Sequence, residues 1–465
     1  MAELFIELFS EEIPARLQVD AREKIKKIID EKLKKKEINF KSSKSFSTPK
    51  RLVFFIEGIP EKIEQKKKII KGPNVDAPQV ALDGFIKSNN LSKLDIYKKN
   101  LEKGEFYFAE TKPKVVDIIK ELQSIIPEAL QSYSWKKSMK WSVYDLSWGR
   151  PLKSIIALFN NKVINFNFFH LQSNDLTLID EANEDKIKKI NSFKSYLSIL
   201  KSQNIILDQE ERKKIIVKKM NNICKSKNLK NNFSEKLIEE VVNLVEKPNV
   251  IICKFDEIYL KVPQEILIIT MQQHQKYFPL FENNGKLTNL FLLVSNLEDI
   301  KGYIKVGNQR VIEARLSDAK FFWDKNKTQS LVKQVGKLKN LRFFNQLGTF
   351  YDKTQRLRKL GGSISYQLNL SKEKIEIAAS ICKADLVSDL VGEYPELQGI
   401  MGKYFAMEQG FDEDISLSIR DHYLPTGINS EIPKKPIGSA TAIIDKIDLL
   451  VGFFGIDEKP TSSKD

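Results

Sequence analysis

The sequence predicts an α+β protein of several domains, with mixed strand and helix units in its N-terminal and central parts and an all-helical region after them. Three observations carry this. The chain has 465 residues, which at roughly 150 residues per domain suggests three domains. Short apolar runs of strand length interleave with helical-period runs as far as about residue 330. Beyond 331 only the helical period persists. The divisions fall at 1–170, 171–330 and 331–465.

Residues 3–9 (ELFIELF) read as a strand. Ser10, Glu11 and Glu12 are expected to open a helix reaching about Glu37, with Pro14 tolerated in its first turn. Its apolar face is Leu17, Ala21, Ile25, Ile28, Ile29 and Leu33, and its lysine-rich face is solvated. A strand at 51–58 follows the Thr48-Pro49 turn. A loop at Lys71-Gly72-Pro73 leads to a short amphipathic helix near 79–90. Lys103-Gly104-Glu105 turns into a strand, FYFAE, and 114–132 is helical. Residues 153–168 form a hairpin turning at Asn160-Asn161. From 184 to 246 the pattern is helical, and Pro248 ends it. Strands are expected at 249–254, 276–282 and 289–295, then a helix with Val311, Ile312, Leu316, Ala319 and Phe322. From 331 onward the chain is helical, punctuated by Gly361-Gly362 and Gly392.

Composition bounds the function. No run of eighteen apolar residues exists, so no transmembrane helix is expected. The opening MAELFIELFSEE is neither a secretory signal nor a transit peptide. Three scattered cysteines, Cys224, Cys253 and Cys382, argue for a reducing cytoplasm. The formal net charge is +15, which attracts polyanions. Only eleven of the 76 basic residues are arginine, so part of that charge reflects a bias toward lysine throughout the chain.

The sequence has no GxxxxGK[ST] phosphate loop, no G-x-S-x-G elbow and no HExxH pair. Lys137-Ser138-Met139-Lys140 resembles the lysine loop of class I synthetases only loosely. Beside Trp135 and Trp141 it also reads as a basic turn suited to a nucleic-acid backbone. The run His274-Gln275-Lys276-Tyr277-Phe278-Pro279 offers donors for phosphate or base edges and a ring for stacking. It also reads as a half-buried strand start. In 307–324, Arg310 and Arg315 can fork onto phosphate, or pair with Glu313 or Asp318. Cys382-Lys383-Ala384-Asp385, with Asp445 and Asp448, resembles the acidic skeleton of an HD phosphohydrolase. Lys383-Ala384 stands where the histidine of the HD pair would be. The expectation is an HD-like helical scaffold without its metal.

Several segments, in this order, resemble the beta subunit of bacterial heterotetrameric glycyl-tRNA synthetase. They are ELFIELFSEEIPA (3–15), TPKRL (48–52), KGP (71–73), KSMKW (137–141), GRPL (149–152), QQHQKYFPLF (272–281) and GNQRVIEARLSDAKFFW (307–323). After them come QLGTFYDKTQR (346–356), KADLVSDLVGEYPELQGIMGKYFA (383–406), DHYLP (421–425) and ATAIIDKIDLLVGFFGI (440–456). The set spans essentially the whole chain.

The resemblance implies a role in ATP-dependent charging of tRNA(Gly). A separate alpha subunit would bind glycine, ATP and magnesium, and beta would bind tRNA within an α2β2 tetramer in the cytoplasm. This chain would then hold no cofactor, no metal and no catalytic residue of its own. The resemblance also implies an editing-type N-terminal domain, an HD-like helical domain and a C-terminal anticodon-binding domain. Two departures stand out. The family's Gly-His-Arg-Phe stretch is replaced by SNDLTLIDEANEDKIKKI (173–190). The chain also stops at PTSSKD, where relatives continue, so it is expected to be truncated before the anticodon-binding domain.

Residues where basic, aromatic and family-like features coincide are the expected RNA contacts: Lys50, Arg51, Lys136, Lys140, Arg150, His274, Gln275, Lys276, Tyr277, Arg310 and Arg315. Asp385 and Asp445 are the acidic remnants of the HD-like site. Two other readings stand beside this one: an HD-type phosphohydrolase, and a scaffold that touches no RNA.

Overall fold

The computed structural model describes residues 2–64, 69–89, 91–101, 104–110, 115–179 and 187–458. The Lys103 turn, the starts of the helices placed at 114 and 184, and the terminal PTSSKD lie outside them. The architecture is α+β, divided into two compact units. One comprises residues 1–218, 234–249 and 294–297, and the other 219–233, 250–293 and 298–465.

The first unit is built on a five-stranded antiparallel sheet. Its strands are β1 (Ala2–Ser10), β2 (Ser42–Ser47), β3 (Arg51–Ile59), β4 (Leu152–Phe159) and β5 (Lys162–Val163), ordered β5-β4-β1-β3-β2. The central strand β1 is apolar at nearly every position because both faces are covered. Leu4, Ile6 and Leu8 join Leu52, Phe54 and Ile56 against helix α1 (Ala15–Lys35), whose buried Leu17, Ala21, Ile25, Ile29 and Leu33 recur at helical spacing. On the opposite face Phe5, Val53 and Phe55 pack on helix α2 (Phe193–Ser202) through Phe193, Tyr196 and Leu200.

α1 starts later than expected. Ser10 still belongs to β1, its N–H donating to Lys50 O at 2.8 Å, and Pro14 caps the helix. A proline needs no amide partner there and presets the helical entry. The β4–β5 hairpin turns at Asn160-Asn161 as predicted, with both residues left-handed at φ 46° and 64°. Three strands lack a strong sequence signal: Ser42–Ser47, Ile69–Asn74 (which contains the expected Lys71-Gly72-Pro73 loop) and Ile96–Leu101. The stretch read as helical from 184 to 246 is broken. It contains a strand at Ile187–Lys189, a bridge strand at Lys230–Asn231, and helices Phe193–Ser202, Gln209–Ser226 and Glu235–Val242.

One ionic network lies inside this unit. Arg51 is fully buried, and its guanidinium donates to Glu246 and, at 2.6 Å, to Leu178 O; Glu7 lies 3.4 Å from its Nε. Glu7 also accepts from Tyr196 and, at 2.7 Å, from Thr177, while Thr48 donates to Glu246 at 2.5 Å. Burial pushes the Glu7 carboxyl up against the pull of Arg51. Glu246, despite its burial, is held below the ordinary range by the same guanidinium.

The second unit has a four-stranded sheet, ordered Lys230–Asn231, Phe278–Phe281, Leu287–Ser295, Asn249–Lys254, followed by helices. Helix α3 (Tyr303–Lys327) buries Ile312, Leu316, Ala319 and Trp323, and Trp323 stacks on Phe405 at 5.7 Å. The region after 331 is helical except for a small hairpin, Arg342–Phe344 with Gly348–Thr349. Helix α4 (Phe350–Leu368) starts in a capping box: Thr349 accepts from Asp352 N, and Asp352 accepts from Thr349 N at 2.8 Å. This accounts for GTFYD in the motif. All three cysteines are free and buried. Among the described residues no helix is long and apolar enough to cross a membrane.

Replacing Arg51 with Met would leave two buried carboxylates without their cation. We predict a loss of about 3–5 kcal/mol in the stability of the first unit, measured by urea denaturation. Lys137→Met at the surface serves as the control and should change little. Equal, small effects for both would show that the network is dispensable.

Candidate nucleic-acid interface

The two richest polar motifs meet in the second unit. The helix beginning at Gln264 widens into a π-helical turn over Thr270–His274, and the chain then reverses at Lys276, which is left-handed at φ 58°. Tyr277 N donates to Met271 O at 2.9 Å, closing the turn. A π-turn followed by a left-handed lysine is costly backbone, and such strain concentrates at functional sites. What holds it is Tyr277. Its ring stacks on Phe291 at 4.8 Å, and its hydroxyl donates to Asn308 of α3 at 2.6 Å. Burial pushes its phenol up to about 12, so it stays a donor. Tyr277 is therefore no RNA contact; it joins the turn to α3.

The reversal leaves Gln273 and His274 exposed, with Gln275 and Lys276 half-buried. His274 meets the ring of Tyr394 edge-on at 5.4 Å. The Tyr277–Asn308 hydrogen bond places α3 beside the turn. Along α3 the buried stripe leaves Tyr303, Gly307, Arg310, Val311, Ala314, Arg315 and Phe321 facing outward. Among the described residues neither Arg310 nor Arg315 makes a hydrogen bond or ion pair, so the pairs weighed with Glu313 or Asp318 do not form. Two unneutralised guanidinium groups, an exposed imidazole and half-buried amide and ammonium donors thus share one neighbourhood. Such a surface can bind phosphate and read base edges.

The remaining expected contacts lie in the first unit and do not form one cluster. Arg51 is consumed in the buried network, which corrects its reading as an RNA contact. Lys50 is half-buried at the start of β3, and Arg150 is half-buried and donates to Gly149 O at 2.8 Å. Lys136 and Lys140 are exposed, 3.5 Å from Asp20 and 3.6 Å from Asp145. Surface pairs of that kind are worth little and leave both lysines available.

The acidic pair sits deep among the helices. Asp385 Oδ2 accepts from Gly399 N at 2.5 Å and Gly402 N at 3.1 Å, and a Cβ at position 402 would lie 2.5 Å from Ile419 and 3.0 Å from that carboxyl. Asp445 lies 3.1 Å from Lys353 Nζ and 3.5 Å from Lys383 Nζ, while Asp448 takes Lys353 at 2.9 Å and the fork of Arg356. Asp445 is held low despite its burial, first by Lys383. His422, missed from sequence because it follows rather than precedes Asp385, is buried here. Its Nδ1 lies 2.7 Å from Ile419 O, which fixes that nitrogen as the donor. Burial and the Lys383 ammonium hold the ring well below the usual imidazole range, so it is neutral. Lys353 was equally hidden, one lysine among many. Among the described residues no three His, Cys, Asp or Glu side chains converge as metal donors.

Burial pushes the Asp385 carboxyl from the ordinary 3.8 up to about 6. A raised acid stabilises the fold relatively at low pH and loses that contribution as pH rises from 3.8 through 6, by at most about 3 kcal/mol. Asp385→Asn keeps the acceptor for both glycine amides and removes the ionisation. Thermal unfolding should therefore show the variant gaining on the native chain between pH 4 and pH 7. A constant difference across that range would contradict the raised value.

The family profile described as glycyl-tRNA synthetase beta subunit matches residues 4–465. Among similar proteins, the glycine–tRNA ligase beta subunit of Rhodospirillum centenum is 37% identical over all of this chain, which spans 69% of that protein. Those of Rickettsia felis and Rickettsia prowazekii are also 37% identical over all of it, spanning 70% and 69% of their lengths. The chain belongs to the glycyl-tRNA synthetase beta subunit family.

Proposed function

We propose that this chain holds tRNA(Gly) for a catalytic alpha subunit, with the turn at 270–277 and the outer face of α3 as its main RNA contact. As a member of its family it is part of an aminoacyl-tRNA synthetase acting in glycyl-tRNA synthesis. The observation that carries the finer reading is the pair Arg310 and Arg315. Both are exposed and unpaired in a chain where arginine is scarce. Beside them stand His274 and Gln275, whose backbone is held in a strained turn.

In this reading beta contributes position rather than chemistry. Anchoring the tRNA body brings its acceptor end to the activated glycine and removes the entropy of a bimolecular encounter. Glycine, ATP and magnesium belong to alpha, in a cytoplasmic α2β2 assembly. Region 331–465 is an HD-like scaffold whose aspartates are neutralised by Lys353 and Lys383, a role that fits their ion pairs.

The double variant Arg310→Ala/Arg315→Ala tests this in the enzyme reconstituted with alpha. The Kd for tRNA(Gly) should rise about tenfold or more, and the slope of log K against log salt should fall in magnitude by about two. Glycyl-adenylate formation, measured without tRNA, should be unchanged. Unaltered tRNA affinity and salt slope would remove α3 from the interface.

A further inference from the structure

A second feature, in the first unit, is not absorbed by that surface. The hairpin Asn167–Phe168/Leu171–Gln172 turns through only two residues, Phe169 and His170, because Phe168 pairs with Leu171. Such turns need left-handed backbone, which Asn and Gly supply at little cost, as Asn160-Asn161 does. Here a phenylalanine is held at φ 52° with 50% of its surface exposed. It is strained in its backbone and only half covered in its side chain, which meets Phe168 edge-on at 5.2 Å, so local preference does not explain it and core packing explains it only in part.

His170 lies face to face on Tyr144, with centroids 3.6 Å apart and planes 7° apart, and edge-on to Trp141 at 5.8 Å. Those rings belong to a second loop, closed by paired hydrogen bonds between Met139 and Trp148 (2.8 and 3.1 Å). Its tip exposes Tyr144 and Val143, the latter at 93%. Lys136, Lys137 and Lys140 flank it; Lys136 lies near Asp20 and Lys140 near Asp145, whereas Lys137 has no ion pair or hydrogen bond among the described residues. Beneath, Trp148 packs edge-on to Trp135 at 5.1 Å and to Phe168 at 5.7 Å. Gly149 is required there, because a Cβ would lie 2.4 Å from the Trp135 ring. The two tips are therefore braced from below.

We propose that these two tips form a stacking platform for an unpaired nucleotide of RNA. Phe169 offers the ring face, and Lys137 and Lys140 take the neighbouring phosphates. The inference rests on the RNA-holding role above and adds the class of ligand: a single-stranded segment, because bases inside a duplex have no free face. Charge favours RNA over a protein occupant. Lysine is depleted from protein interfaces, whereas rings bordered by lysines match a base and its phosphates.

The test uses the full chain with two labelled probes, a six-nucleotide single-stranded RNA and a blunt RNA duplex, and follows anisotropy. Phe169→Asn removes the ring and suits the turn, so its Tm should equal or exceed that of the native chain. It should bind the single strand roughly 5- to 100-fold more weakly and the duplex unchanged. Arg310→Ala/Arg315→Ala should lose duplex binding and keep most single-strand binding. Selective loss of single-strand binding in Phe169→Asn would uphold the platform even if the arginine variant kept its affinity for tRNA. The platform is overturned if Phe169→Asn binds the single strand normally, or if the native chain does not bind it. It is also overturned if the variant keeps its RNA affinity and instead loses alpha on co-purification, which would make the patch a protein interface.

Discussion

A charge taken out of water must meet its counter-charge inside the fold, and this requirement sorts the basic residues of the chain. In the first unit Arg51 sits between Glu7 and Glu246, drawing together β1, β3 and a residue almost 200 positions away. In the second, Lys353 and Lys383 are spent on Asp445 and Asp448. Once these are placed they are lost to any ligand. The cations left at the surface, above all Arg310, Arg315 and Lys137, are the ones a polyanion can meet. The formal charge of +15 therefore overstates what is available for binding and says nothing of where it lies.

The same logic separates support from contact within each motif. Tyr277 and Asn308 belong to motifs that look suited to RNA, yet they bond to each other and fix the π-turn to α3. Their neighbours His274, Gln275, Arg310 and Arg315 are then held in place without using their own polar groups for the fold. In the first unit Trp135, Trp148 and Gly149 play the supporting part, and Phe169 and Tyr144 the presented part. In both places backbone strain, at Lys276 and at Phe169, falls beside the side chains that face outward.

Much of this was legible from residues alone. Leu17, Ala21, Ile25, Ile29 and Leu33 define α1 because helical spacing is a local property, and Asn160-Asn161 defines its hairpin for the same reason. The strand Ser42–Ser47 was not legible: it is an edge strand of mostly polar residues, recognised only through its pairing with β3. Arg51 and Arg310 are alike in sequence, each arginine beside apolar residues. Only tertiary packing buries one and exposes the other. His422 escaped because its approach to Asp445 and Lys383 depends on how the helices pack, not on spacing. The likeness of the ordered segments to one family identified the chain well, but it could not separate the residues that support a surface from those that form it.

If the turn at 270–277 and the outer face of α3 bear the tRNA, their amides are shielded when it binds. Hydrogen exchange of the chain with and without tRNA(Gly) tests this most directly, because exchange reports protection segment by segment. Exchange should slow in peptides covering 270–277 and 303–318, with little change across the buried cluster around Asp445. Protection confined to other segments, with these two unaffected, would contradict it.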